Sequence, residues 1–170
     1  MIDFDLILKY GKASSKIAGF ESKPFIELPY GLVKIDLPAL QRSESDSEAI
    51  INLIMKLQFP EFDIESASGN EIVSFSLWIK EQQEFIYSIE EKYLSSEPEP
   101  EMMAAGIHQL NEFGDMVTVD ALAKGDILKY DETKALPYFR VYEKLKLDKV
   151  NRDIEKRYQK IMEEKAKRKR

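Results

Sequence analysis

The side chains that most often perform chemistry are few in this sequence, and they lie far apart. The single histidine, His108, stands four residues before Glu112, a spacing that puts both side chains on one face of an α-helix and occurs among zinc ligands. A zinc site needs three or four ligands, and because the chain has no cysteine the others would have to be carboxylates. The pattern favours a histidine that hydrogen-bonds to its neighbour, and we expect neither a metal nor another cofactor.

Carboxylates cluster in two short stretches, at 61–65 and 97–101. General acid–base catalysis requires carboxylates in different environments, one of them partly buried. Both stretches lie beside proline in predicted loops, where water surrounds them, and the first lacks the central glycine of a calcium-binding loop. The chain also has no glycine-rich phosphate loop and no Gly-x-Ser-x-Gly. The sequence therefore predicts a non-enzymatic protein, with an active site assembled from distant residues as the alternative.

The C-terminal end of the chain is basic, although the whole chain carries a net charge of −6. Residues 143–170 contain 12 Lys and Arg against 6 Asp and Glu, so the rest of the chain is strongly acidic. A basic run can neutralise phosphates, but it also stabilises a helix C-terminus and keeps a frayed end soluble. Because acidic residues are interspersed before it, we interpret the run as a solvated end, with nucleic acid or an acidic protein surface as alternative contacts. The residues concerned are Lys165, Lys167, Arg168, Lys169 and Arg170.

The elements that would position any site begin with β-structure. Residues 3–10 are apolar and typical of a strand, and 11–23 form a polar loop with two glycines. Two further strands are predicted at 25–28 and 32–37, joined by a Pro-Tyr-Gly turn in which Gly31 can take a positive φ. These segments predict a short N-terminal antiparallel sheet, composed of a β-hairpin and one strand, that needs a helix to cover it.

The remainder of the chain has the periodicity of helices. Acidic and serine residues that suit a helix N-terminus start the first helix, and Ser68 with Glu71 has the spacing of a capping box at the start of the second. The predicted helices are 43–59, 68–96, 101–114, 119–124, 126–136 and 137–165. The fold class is therefore α+β, and the proline-rich connector at 97–101 suggests a boundary between an N-terminal unit, 1–96, and a C-terminal helical unit, 101–170.

Two short sequences occur twice. Leu-Pro-Tyr stands at 28–30 and 136–138, and Ile-Leu-Lys-Tyr at 7–10 and 127–130. The two motifs are separated by 17 residues in the first half and by 5 in the second. A duplicated domain would keep this separation, so we interpret the repetition as chance.

The terminal helix is long for so small a protein. Its apolar positions include Val141, Tyr142, Leu145, Val150, Ile154, Tyr158 and Ile161. If these residues pack only on their own domain they are core, whereas a projecting distal half, 150–162, would face a partner or a second copy of the chain. We predict that the helix binds another protein or itself through Tyr138, Tyr142, Val150, Ile154, Tyr158 and Ile161.

Composition and the N-terminal residues bear on location. Hydrophobic residues make up 44% of the chain and aromatic residues 11%, as in ordinary globular proteins. The sequence contains no apolar run of the roughly 18 residues that a membrane span needs. Asp3 and Asp5 stand where a signal peptide carries positive charge. These features, with the lack of cysteine, favour the cytoplasm and no contact with a membrane.

One part of the chain resembles a known class of proteins. Residues 125–170, GDILKYDETKALPYFRVYEKLKLDKVNRDIEKRYQKIMEEKAKRKR, comprise a short helix led by Gly-Asp, a Leu-Pro-Tyr break, and a long Lys/Glu-rich helix with a basic end. This order is similar to the C-terminal part of small proteins from the structural-gene clusters of tailed bacteriophages, tail assembly chaperones above all. The resemblance implies a non-enzymatic protein of the host cytoplasm that binds a phage tail protein, such as the tape measure. A virion subunit of the neck, connector or baseplate would have the same features, and it would reside in the virion.

Overall fold

The computed structural model describes residues 11–43 and 46–168, and it confirms the α+β fold class. Two short strands form an antiparallel sheet, and helices account for most of the remaining structure. The strands are β1, Lys16–Ile17, and β2, Phe20–Glu21. The α-helices are α1, Leu37–Ser43; α2, Ser47–Gln58; α3, Gly69–Tyr93; α4, Pro100–Ala104; α5, Met116–Ala123; α6, Tyr130–Ala135; and α7, Tyr138–Arg168. Turns of 3-10 helix lie at Phe25–Glu27, Ile64–Ser66, Ile107–Phe113 and Ile127–Lys129, and a π-helical turn at Leu32–Asp36 leads into α1.

The sheet lies in the segment 11–23, which the sequence predicted to be a loop. Ile17 of β1 pairs with Phe20 of β2, and Ala18 and Gly19 between them both have positive φ, 50° and 81°. A tight two-residue hairpin turn requires this conformation. The Ala18 N–H donates to Glu71 Oε1 at 3.1 Å, so the start of α3 holds the hairpin turn in place.

The predicted strands at 25–28 and 32–37 are wrong, because both segments are helical. After Pro29 the chain turns helical at once, and the Val33 N–H donates to the Pro29 carbonyl at 3.1 Å. Helical spacing places Tyr30, Val33 and Leu37 on one face, and all three are buried. Packing of this face decides against the alternating pattern of a strand. The third predicted strand, at 3–10, lies outside the described residues.

The two main predicted helices are confirmed, together with their start signals. Asp46 caps α2 by accepting the Glu48 N–H at 2.9 Å. Ser68 and Glu71 form the predicted capping box at the start of α3. Because these caps satisfy backbone N–H groups locally, they could be predicted from sequence alone.

One hydrophobic core includes residues from both sides of the 97–101 connector. Val119 of α5 and Val141 of α7 are buried in the same cluster as Ile17, Phe25 and Phe75. The predicted units 1–96 and 101–170 therefore share a core. Within the part of the chain that the structure describes, no helix is long and apolar enough to cross a bilayer.

The predicted helix at 101–114 is interrupted. Helix α4 ends at Ala104, Gly106 takes a φ of 87°, and the chain continues as 3-10 helix. A 3-10 helix has about three residues per turn, so side chains four apart point about 120° away from each other. His108 and Glu112 consequently do not share a face. Among the described residues, no group of three or more His, Asp or Glu could hold a metal ion.

Candidate functional site

The two Leu-Pro-Tyr segments, 28–30 and 136–138, pair with each other across the molecule. Each tyrosine N–H donates to the leucine carbonyl of the other segment, with N···O distances of 2.8 Å in both cases. The prolines form an isolated antiparallel bridge, and the rings of Tyr30 and Tyr138 stack at a centroid distance of 6.2 Å. We interpreted the repetition of Leu-Pro-Tyr as chance from the sequence. In the structure the two copies join the N-terminal segment to the start of α7.

Three charged side chains surround the hydroxyl groups of these tyrosines. The Tyr30 hydroxyl donates to Asp115 Oδ1 at 3.0 Å, and the Tyr138 hydroxyl donates to Glu90 Oε1 at 2.8 Å. Lys34 Nζ donates to Glu90 Oε2 at 2.8 Å and lies 3.8 Å from Asp115 Oδ1. We call these five residues the tyrosine–carboxylate cluster. It joins α3, α7, the helical segment that leads into α1, and the residue that precedes α5.

Burial raises the pKa values of Tyr30, Tyr138 and Asp115 in this cluster. Burial, and then the charge of Asp115, raises the pKa of Tyr30 far above its ordinary value. Burial and the charge of Glu90 raise the pKa of Tyr138 in the same way. Burial also raises the pKa of the Asp115 carboxyl, although Lys34 opposes that shift. Both phenols are thus held as protonated donors to their carboxylates.

Four residues of the cluster, Tyr30, Lys34, Glu90 and Asp115, line an open cleft of about 570 Å³. Clefts with carboxylates of shifted pKa are candidate sites for chemistry, but structural ion-pair networks shift pKa values as well. Here the two carboxylates accept hydrogen bonds from the tyrosines and Lys34 of the same cluster. The geometry therefore fits a role in fastening the helices together.

Helix α7 contacts the rest of the protein along one face. Tyr138 and Val141 are buried on this face, and Tyr142 and Leu145 are partly buried. Further along, the same face is polar: Lys149 Nζ donates to the Ser95 carbonyl at 2.6 Å, and the Lys156 ammonium lies 2.7 Å from Glu99 Oε1. The body-facing side of α7 thus changes from apolar to charged at about residue 149.

The distal apolar residues lie on the other side of α7. The step from Leu145 to Val150 is five residues, which rotates the side chain by about 140° at roughly 100° per residue. From Leu147 onward the apolar side chains therefore point almost directly away from the body, and they are between 46 and 56% exposed. We call this set the distal stripe: Leu147, Val150, Ile154, Tyr158 and Ile161.

The predicted partner-binding residues fall into two groups as a result. Val150, Ile154, Tyr158 and Ile161 are exposed on the distal stripe. Tyr138 and Tyr142 lie on the body-facing side, and Tyr138 is buried in the core. The five-residue step from Leu145 to Val150 places the two groups on different faces of the helix.

The basic run extends beyond the last body contact of α7. Lys165, Lys167 and Arg168 are exposed on its final turn. Lys169 and Arg170 lie outside the described residues. The whole length from Asn151 to Arg168 is exposed to solvent, which is compatible with the solvated end that the sequence indicated.

Deletion of residues 165–170 is expected to change the free energy of unfolding by well under about 1 kcal/mol, because exposed termini contribute few buried contacts. Nucleic-acid affinity at physiological salt should also change little. Urea unfolding followed by circular dichroism, and a filter-binding assay over a salt series, measure the two effects. A steeply salt-dependent DNA or RNA affinity that disappears on deletion would show that the run is a nucleic-acid contact.

The structure also shows an apolar groove that the sequence did not indicate. The residues that line this groove of about 360 Å³ beside α5 are Leu110, Phe113, Met116, Val117, Tyr130 and one charged residue, Asp120. Leu110 and Phe113 are exposed and three residues apart, so the 3-10 helix places them on one side. The groove also requires Met116, Val117 and Tyr130, and only the packing of α5 and α6 brings these residues beside Leu110 and Phe113. The tyrosine–carboxylate cluster was missed as well, and the repeated Leu-Pro-Tyr was its only signal.

Comparison with protein-family models gives no match, and neither do comparisons with curated proteins and with solved structures.

Proposed function

We propose that this protein is a non-enzymatic assembly protein that acts by binding protein through the terminal helix. The distal stripe carries this proposal. A helix that serves only its own domain places its apolar residues toward that domain, whereas these five side chains face solvent on the side of α7 that is turned away from the body. Burial of two of them at an interface would contribute roughly 3–6 kcal/mol before the costs of association.

The particular assembly that we propose is the tail of a bacteriophage. The resemblance of residues 125–170 to tail assembly chaperones supports it, and a long projecting helix suits a protein that holds a tail protein in the host cytoplasm. A virion subunit of the neck, connector or baseplate is the alternative that uses the same helix. An adaptor that contacts nucleic acid through the basic end is the third candidate, supported by Lys165, Lys167 and Arg168 on the last turn.

Replacement of Ile154 and Tyr158 by serine is expected to weaken protein association at least tenfold while the helical circular dichroism signal is kept. The reason is that both side chains are about half exposed, so the fold does not depend on them. Association is read as self-association by light scattering and as capture of co-expressed products of neighbouring genes, each identified by mass spectrometry.

A matched control exists one position further along the same helix. Glu155→Ser with Gln159→Ser has the same four-residue spacing, and both side chains are exposed beside the stripe. This variant should associate like the wild type. If the stripe variant associates equally well, the stripe is not the contact surface. If it unfolds, these residues are ordinary core and the contact surface lies elsewhere.

Mass spectrometry of purified phage particles separates the chaperone from the virion subunit. We expect this chain to be present in infected cells and missing from finished particles. Its recovery from particles in stoichiometric amount would favour the virion subunit.

A further inference from the structure

On the exposed face of α7 the apolar and charged side chains are spaced symmetrically about Ile154. Apolar side chains lie four and seven residues away on each side, and oppositely charged side chains lie eleven residues away. In chain order the positions are Glu143, Leu147, Val150, Ile154, Tyr158, Ile161 and Lys165. A surface with this symmetry about its own centre can match a second copy of itself that runs in the opposite direction.

Helix geometry places all seven side chains on one surface. At about 100° per residue they fall within an arc of roughly 80°. The helix is continuous from Tyr138 to Arg168, and each of the seven side chains is exposed. The symmetry in the sequence is therefore also a symmetry of the surface.

We propose that the distal stripe binds the same stripe of a second copy of this chain, as an antiparallel helix pair with its twofold axis at Ile154. The proposal rests on the proposed function, since it names the partner of the same surface. A twofold interface brings identical patches together, so the patch must be complementary to itself. In this pairing Leu147 lies opposite Ile161 of the second copy, and Val150 lies opposite Tyr158 of the second copy.

The charges at the two ends of the stripe select the antiparallel direction. Glu143 of each chain faces Lys165 of the other, so opposite charges meet at both ends of a contact about 33 Å long. A parallel pair would bring glutamate to glutamate and lysine to lysine, which is unfavourable. The two charges therefore determine the direction of the pair in addition to keeping the helix soluble.

The position of the body is compatible with this arrangement. Tyr138, Val141 and Leu145 attach α7 to the body on the nearly opposite side of the helix. In the dimer the two bodies lie outside the helix pair. One helix pair is small beside a standard protein interface, so we expect a reversible dimer whose fraction increases with concentration.

Cysteine cross-linking tests both the pairing and its direction, because the chain has no cysteine of its own. Leu147→Cys and Ile161→Cys are purified separately, mixed, oxidised mildly and run on a non-reducing gel. We expect the mixture to give several-fold more cross-linked dimer than either variant alone. Equal cross-linking by the single variants would indicate a parallel pair, and no cross-linking would indicate no pair, so either result overturns the proposal.

Charge reversal tests the ends of the stripe. Glu143→Lys and Lys165→Glu each place like charges at both contacts, and each should raise the dimer dissociation constant roughly tenfold or more. The variant with both reversals restores opposite charges and should dimerise like the wild type, as should an equimolar mixture of the two single variants. A double variant that stays as weak as the singles would contradict the antiparallel register.

Light scattering over a concentration series separates failure of this inference from failure of the proposed function. The mass should rise from the 19.7 kDa of one chain toward twice that value. If the mass of the wild type stays at that of one chain at every concentration, the proposal of a dimer is wrong. The proposed function still holds in that case if Ile154→Ser with Tyr158→Ser abolishes capture of a neighbouring gene product.

Discussion

Tyr138→Ala is expected to lower the free energy of unfolding by about 4 kcal/mol, the cost of removing a buried aromatic side chain and leaving a cavity. Tyr138 is buried, stacks between Tyr30 and Tyr142, and donates its hydroxyl to Glu90. Ordinary domains are stable by only about 5–15 kcal/mol, so this change removes a large part of the total. Urea unfolding followed by circular dichroism measures it.

Two control variants separate the contributions of ring and hydroxyl. Tyr138→Phe keeps the ring and removes one hydrogen bond, so we expect a loss of about 1–2 kcal/mol. Phe139→Ala changes the next residue, whose ring is partly exposed, and should cost much less than Tyr138→Ala. If the two alanine variants are equally stable, the Leu-Pro-Tyr pairing does not hold α7 to the body.

Alkaline pH is expected to destabilise the protein steeply, because the fold keeps two phenols protonated. The pKa values of Tyr30 and Tyr138 are raised above the ordinary value of 10.0. Above pH 10.0 the unfolded chain releases these protons while the folded chain retains them, so stability is present below that pH and is lost as the pH rises. Above pH 10.0 each tyrosine lowers the free energy of unfolding by about 1.4 kcal/mol per pH unit, and the pair lowers it by about 3 kcal/mol per pH unit. Urea unfolding at several pH values below and above 10.0 measures the slope.

Single phenylalanine variants test the origin of this slope. Tyr138→Phe removes one of the two buried phenols and should reduce the combined contribution of Tyr30 and Tyr138 to the slope by half. Tyr87→Phe changes an exposed ring and should leave the slope as in the wild type. If both variants show the wild-type slope, the alkaline loss arises outside the tyrosine–carboxylate cluster.

The predicted helices show where local signals are sufficient. Helices α2 and α3 begin at the predicted caps, because Asp46 and the Ser68–Glu71 pair satisfy backbone N–H groups within a few residues of themselves. The terminal helix was predicted for a similar reason, since Pro137 stands directly before it and charged helix-forming residues follow. Its division into two faces could also have been inferred, because the five-residue step from Leu145 to Val150 is visible in the sequence.

The errors are at positions where distant contacts compete with local patterns. Leu28, Tyr30 and Leu32 alternate as a strand would, yet the segment turns helical after Pro29 because Tyr30, Val33 and Leu37 bury one face together. The hairpin of β1 and β2 formed in a polar stretch because Ala18 and Gly19 adopt positive φ and the Ala18 N–H bonds to Glu71 on α3. Neither outcome can be derived from propensity alone.

The sequence by itself determined the helical character of the chain, the capped starts of its main helices, the long terminal helix and the symmetric spacing about Ile154. These features depend on neighbours within a turn or two, which the order of residues specifies directly. Only the tertiary structure decided that the two Leu-Pro-Tyr segments pair, and that Lys34, Glu90 and Asp115 meet around their tyrosines. Leu28 and Tyr138 are 110 positions apart in the chain, and packing of the shared core brings these distant residues together, so no local pattern could reveal the pairing.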